Sequence, residues 1–179
     1  MKVLVLGAGA IGSLYAAKLS GTNDVTVLAR QEHADAINRD GLRLVGRESS
    51  THRVRAVTTV DRVPSETLVL LTTKVNDNRA VTNALRGRID ANVIILCIQN
   101  GLGGEDIVKE VLGRPQSPLV LRAVTQFGAI FKEPGVIDYK VAGYTLVEDS
   151  ARSRCDRWRS RPSKPWAPSS GRPRSALRS

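Results

Sequence analysis

The chain has 179 residues, 41% hydrophobic and 4% aromatic, which suits one globular domain with a short extension. No apolar run is long enough to cross a bilayer, and two cysteines with two histidines lacking ligand spacing argue against a disulfide framework or a metal site. The net charge of +10 is unevenly placed: residues 151–179 hold 9 Lys and Arg against one Asp, whereas residues 1–150 hold 18 against 16.

Residues 2–6 (KVLVL) read as an apolar strand that runs into Gly7-Ala8-Gly9-Ala10-Ile11-Gly12. Ile11, Leu14, Tyr15 and Leu19 follow at helical spacing and predict a helix with one face on a sheet. Strand, Gly-x-Gly-x-x-Gly turn and helix in this order form the phosphate-binding entry of a dinucleotide fold. Gly7 allows a sharp exit from the strand, Gly9 lets backbone approach a pyrophosphate, and Gly12 lets the helix pack on the strand. Free amides at the helix start, with the positive end of its dipole, then hold phosphate oxygens. Gly7, Ala8, Gly9, Ala10, Ile11 and Gly12 are therefore the expected cofactor-binding residues; the alternative is a glycine-rich turn with no ligand.

Residues 25–29 (VTVLA) predict a second strand, ending at Arg30, eighteen residues after Gly12. NAD-binding folds place an acid about 20 residues on, to accept from the ribose 2′-hydroxyl. Arginine cannot accept, but its fork suits a 2′-phosphate, so Arg30 indicates NADP. The alternative is a solvated strand-end arginine.

Residues 31–39 predict a short helix stopping near Gly41, and residues 42–45 and 54–57 short alternating strands, a hairpin or a sheet edge. Residues 67–72 have no polar face until their end, as in a strand covered on both sides of a parallel sheet; Thr73-Lys74 follows, then a helix over residues 77–85 with Val81, Ala84 and Leu85 on one side. The apolar run 92–98 repeats the pattern and ends in Gln99-Asn100-Gly101. Within it Cys97 is expected to pack as a small hydrophobe. Residues 105–112 predict a helix with Ile107, Val108, Val111 and Leu112 facing inward and Gly113 closing it. From Leu119 the pattern changes to strand-like pieces around 123–127, 135–139 and 144–147, with a turn at Pro134-Gly135. These are expected as an antiparallel addition to the sheet edge. His33 and His52 are expected at the surface.

The fold expected is α/β, a Rossmann-like doubly wound parallel sheet with an antiparallel edge, over residues 1–149. Residues 150–179 form a basic Arg/Ser/Pro-rich tail expected to be disordered. Ligands of open α/β sheets bind outside the carboxyl ends of the strands, and Gly7, Arg30, Lys74 and Asn100 all stand at such ends. Lys74 either reaches a cofactor or anionic substrate or is a solvated lysine at a helix start. Asn100 either hydrogen-bonds substrate or the nicotinamide ribose or serves the turn geometry.

The glycine turn, Arg30, Thr73-Lys74, Gln99-Asn100-Gly101 and Gly128-Ala129 ahead of Pro134-Gly135-Val136-Ile137 resemble the amino-terminal domain of the ketopantoate reductase (2-dehydropantoate 2-reductase) family. The resemblance implies reduction of 2-dehydropantoate to pantoate with NADPH, on the path to pantothenate and coenzyme A. The opening strand does not read as a secretory leader, so the cytoplasm is the location expected by default. The resemblance also implies that the residues from Gly7 to Gly12 hold the pyrophosphate and Arg30 the 2′-phosphate of NADP(H). Lys74, Asn100 and Ala129 would line the cofactor site, with Asn100 also near a small-molecule 2-oxo acid substrate. Family members carry a second, helical domain that supplies the proton-donating lysine. No counterpart is read in this chain, Lys164 in Ser163-Lys164-Pro165 included, so no catalytic residue is assigned.

The abrupt change near residue 150 reads as a frame shift or truncation, with a basic arm for nucleic acid or a plain solvated tail as alternatives. Two alternatives to the full reductase stand beside it: a non-catalytic NADP-binding module, and a related reductase of another 2-oxo acid. No membrane partner is expected, nucleic acid is the weaker reading, and homo-oligomerisation is open.

Overall fold

Strand β1 (Lys2–Leu6) alternates its side chains between two apolar layers. Val3 and Val5 enter one core, and Leu4 and Leu6 enter the other. The computed structural model describes residues 1–90, 92–100, 103–113 and 118–148. Gly101 and the tail expected from residue 150 onward lie outside the described residues.

Helix α1 (Ala10–Leu19) follows the glycine turn, β2 (Asp24–Leu28) lies parallel to β1, and α2 (Gln31–Asp40) leads away from β2. Next come β3 (Leu42–Gly46), β4 (Ser50–His52) and β5 (Arg55–Val57). Strand β6 (Thr67–Leu71) then precedes a 3-10 turn (Val75–Asp77) and α3 (Asn78–Ala84). The chain continues through β7 (Ile94–Ile98), α4 (Gly104–Leu112), β8 (Leu119–Thr125), β9 (Gly128–Glu133), β10 (Val136–Val141) and β11 (Thr145–Val147).

The main sheet has the order β11-β8-β7-β6-β1-β2-β5. All its pairings are parallel except that of β11 with β8, which is the expected antiparallel edge; the piece expected there around residues 123–127 instead begins within β8, parallel to β7. Its parallel strands follow the 3-2-1-4-5-6 succession of the dinucleotide-binding folds, so chain order reverses between β1 and β6. Leu14, Ala16 and Ala17 of α1 and Ala34 and Ile37 of α2 join the core with Val3 and Val5. Val108 of α4 and Leu85, at the end of α3, join the core with Leu4 and Leu6. Helices thus cover both faces, as in a doubly wound sheet. Cys97 is buried in this second core, where burial pushes its thiol up to about 12.

The structure departs from expectation in a second sheet of four strands, ordered β4-β3-β10-β9. Residues 42–45 and 54–57 do not pair with each other. Strand β3 turns back on β4, while β5 returns to the main sheet beside β2. The turn at Pro134-Gly135 forms as expected, joining β9 and β10, but this hairpin pairs with β3 instead of extending the main sheet. Alternation alone cannot distinguish these sheets, because every strand involved is short and half-polar.

The second sheet also accounts for the surface of α1. That helix packs against β9, β10 and β3 as well as the main sheet. Its fully covered side chains are Ser13, Leu14, Ala16 and Ala17, whereas Ile11, Tyr15 and Leu19 are only half-buried. Small residues are needed where a helix is enclosed on two sides.

Candidate functional site

The carboxyl end of β1 is held by both neighbouring strands. Ala8 N–H donates to the Leu28 carbonyl at 3.0 Å, which sets the turn beside the end of β2. On the other side Thr72 N–H donates to Leu6 O at 3.0 Å, and the Thr72 hydroxyl donates to Gly7 O at 2.8 Å. Gly7 has φ +102, and a Cβ there would lie 2.7 Å from the Thr73 methyl, so only glycine fits. At Gly12 a Cβ would collide with the Gly7 carbonyl and the Thr72 hydroxyl. At Gly9 it would meet no protein atom within 4 Å.

The first bond of the α1 ladder runs from Ser13 N–H to Gly9 O at 2.9 Å. The amides of Ala10, Ile11 and Gly12 therefore precede the ladder, at the positive end of the helix. The Ala8 amide is not free with them, being bonded to Leu28, where it shapes the turn. A backbone open at Gly9 beside three ladder-free amides suits a diphosphate, whose oxygens need donors and close approach.

An open cleft of about 400 Å³ lies along the carboxyl ends of β6, β7 and β8, with Ile11 of α1 on its wall. Thr72, Thr73, Lys74, Gln99, Asn100 and Thr125 also line it. Among the lining residues, Gln99 is paired with the buried amide of Asn78. Asn78 Nδ2 donates to Gln99 Oε1 at 2.8 Å, and Gln99 Nε2 donates to the Thr73 carbonyl at 2.6 Å and to Asn78 Oδ1. Asn78 and Gln99 are 0% and 8% exposed, and their mutual bonding satisfies groups that burial would otherwise penalise. The bracket ties Thr73 to Gln99, the residues just before Lys74 and Asn100, both of which are exposed.

Arg30 is the N-cap residue of α2, directly beyond β2, and is exposed. Ile11, Lys74 and Asn100 line this cleft, Gly7 lies against Thr73 at the reversal of strand order, and Arg30 stands on the adjoining strand end. Ala129 is not among the residues lining the cleft. It is partly buried in β9, paired with Tyr139, and packs on the core beside α1.

Several pairings in this region carried no recognisable signal in the sequence. Thr72 and Gly7 are 65 residues apart, and Gln99 and Asn78 are 21 apart. The Tyr15 hydroxyl donates to Thr125 Oγ1 at 2.9 Å and also contacts the Thr145 hydroxyl, joining α1 to β8 and β11. The two histidines are a correction. His33 is buried at 4% exposure, bonded to Ser13 and Gly135, and His52 is half-buried between Ser20 and Ser50. Their neighbours come from the second sheet and its junction with α1, which the local pattern did not reveal.

The profile of the family described as ketopantoate reductase PanE/ApbA matches residues 3–152. A 2-dehydropantoate 2-reductase of Pyrococcus horikoshii is 36% identical over 148 residues, covering 82% of this chain and 47% of that protein. The one of Halobacterium salinarum is 34% identical over 151 residues, covering 82% and 48%. The crystal structure of a PanE/ApbA family ketopantoate reductase from Ralstonia eutropha matches with a TM-score of 0.77 at 26% identity, over 85% of this chain and 50% of that one. A ternary structure of D-mandelate dehydrogenase with NADH and anilino(oxo)acetate is similar in fold, with a TM-score of 0.76 at 22% identity over 88% and 52%. The chain spans about half the length of the curated relatives it matches.

Proposed function

The chain belongs to the ketopantoate reductase family, and from that membership we propose that residues 1–149 are the coenzyme-binding half of an NADPH-dependent 2-dehydropantoate 2-reductase. The observation that carries this reading is the set of ladder-free amides of Ala10, Ile11 and Gly12 at the point where strand order reverses, next to an open cleft. In the proposal these amides hold the pyrophosphate, with Gly7 turning the chain out of the strand and Gly9 giving close approach. Arg30 takes the 2′-phosphate through a charged fork. Lys74 and Asn100 serve the nicotinamide side of the coenzyme and the 2-oxo acid, Lys74 by attracting anionic oxygen and Asn100 by hydrogen bonding. The bound coenzyme supplies a hydride to the ketone. The proton for the developing alkoxide is assigned to no residue of this chain.

The test is a titration of NADPH and NADH against the wild-type chain and Arg30→Ala. Hydrogen bonds to charged groups contribute about 1.5–3 kcal/mol, so Arg30→Ala should weaken NADPH binding roughly 10- to 150-fold and leave NADH nearly unchanged. Equal wild-type affinities for the two coenzymes would refute the role of Arg30. Failure of both to bind would refute the coenzyme site.

A further inference from the structure

His33 is the third residue of α2, and its ring joins three elements. Gly135 N–H, in the β9–β10 turn, donates to Nδ1 at 2.8 Å, and the Ser13 hydroxyl of α1 lies 3.1 Å from Nε2. Because Nδ1 accepts, the ring proton of the neutral form belongs on Nε2, which donates to Ser13 Oγ. The Phe131 ring closes the site, its centroid 4.9 Å from that of His33. Ser13 immediately follows the three ladder-free amides of α1. His33 stands three residues after Arg30, whose carbonyl accepts from Ala34 N–H at 2.9 Å. One buried ring thus fastens the start of α1 to the start of α2.

We propose that neutral His33 is a positioning residue for the coenzyme, locking the two helix starts at one separation, and that its protonation loosens this lock and weakens binding. The proposal rests on the coenzyme site proposed above. A protonated ring carries hydrogen on both nitrogens, so Nδ1 can no longer accept and the Gly135 amide loses its partner. The new charge would also be buried, near the positive end of α2. Burial holds the His33 pKa below its ordinary 6.5 and is the sole cause of that shift. No charged group of the surrounding elements contributes to that shift. Arg30 and Glu32 of α2 are exposed, Lys18 of α1 pairs with Glu48, and Lys132 and Glu133 of the hairpin are exposed.

The experiment compares NADPH affinity at pH 7.5 and 5.5 for the wild type and His33→Asn, alongside amide exchange and ring resonances of the free chain by NMR. Asparagine keeps an acceptor for Gly135 without a titrating group. Protonation of the coenzyme's own 2′-phosphate affects both proteins alike, so the difference between them is the readout. The wild type should lose at least about fivefold more affinity than His33→Asn, the lower end of ordinary coupling between sites. In the free wild type, protection of the Gly135 amide should fall as the ring titrates, and in His33→Asn it should not. Parallel loss of affinity in the two proteins would overturn the positioning role. A Gly135 amide indifferent to the ring would overturn the tether itself. If neither NADPH nor NADH binds at pH 7.5, the functional reading fails, and the amide still reports whether the tether exists.

Discussion

Two glycines of the same motif stand in different surroundings. Gly12 faces protein: a methyl there would strike a backbone carbonyl and a hydroxyl already bonded to it. Gly9 faces open space, with φ −76, which any residue adopts. Gly12→Ala should therefore destabilise the fold by about 1–3 kcal/mol, the usual range for overpacking, as read from urea unfolding. Gly9→Ala should change stability by no more than about 0.5 kcal/mol while weakening coenzyme binding, since its methyl occupies the approach to the turn. A Gly9→Ala chain that binds coenzyme normally would remove the turn from the site. The motif alone marked both glycines; only the packed neighbours separate the one that serves the fold from the one left open.

At the scale of elements, the junction of α1, α2 and the second sheet is where proton uptake acts on stability. His33 and His52 both have pKa values below 6.5. Burial is the cause at His33. At His52 burial is the larger cause, opposed by Glu48 and aided by Lys18. A histidine depressed in the fold takes up protons more readily once unfolded, so the unfolded chain binds more protons below about pH 6.5. Stability from this source is complete above that value and falls as pH drops through the folded pKa values. Urea midpoints should thus decline from pH 7.5 to 5.5, and His33→Asn should flatten part of the decline. A midpoint that rises on acidification in this range would contradict the buried, neutral rings. The elements themselves were largely legible: the helix read over residues 31–39 is α2, and the apolar runs are β6 and β7. Partners were not, because a short alternating strand such as Leu42–Gly46 carries no mark of which sheet it joins.

At the scale of the whole molecule, the described residues leave apolar side chains exposed on its last strands. Leu146 is 61% exposed and Val147 50% on edge strand β11, and Ile130 is 55% exposed on β9. A sheet edge carrying large apolar residues invites pairing with other chains. The isolated chain should self-associate with rising concentration, and Leu146→Lys should shift sedimentation towards the monomer. A wild-type chain monomeric at every concentration tested would show that this surface is not adhesive.

The local order of strand, glycine turn and helix was enough to determine the parallel α/β architecture, because each piece is specified by residues adjacent in the chain. The strand-end positions of Gly7, Arg30, Lys74 and Asn100 followed from the same pattern, since an apolar run shows where it stops. Tertiary structure alone decided what holds those ends in place: Thr72 on the Gly7 carbonyl, Gln99 locked to Asn78, and His33 between Ser13 and Gly135. Those bonds join residues 20 to 102 positions apart. A polar side chain read in isolation looks the same whether water or a distant backbone group will satisfy it.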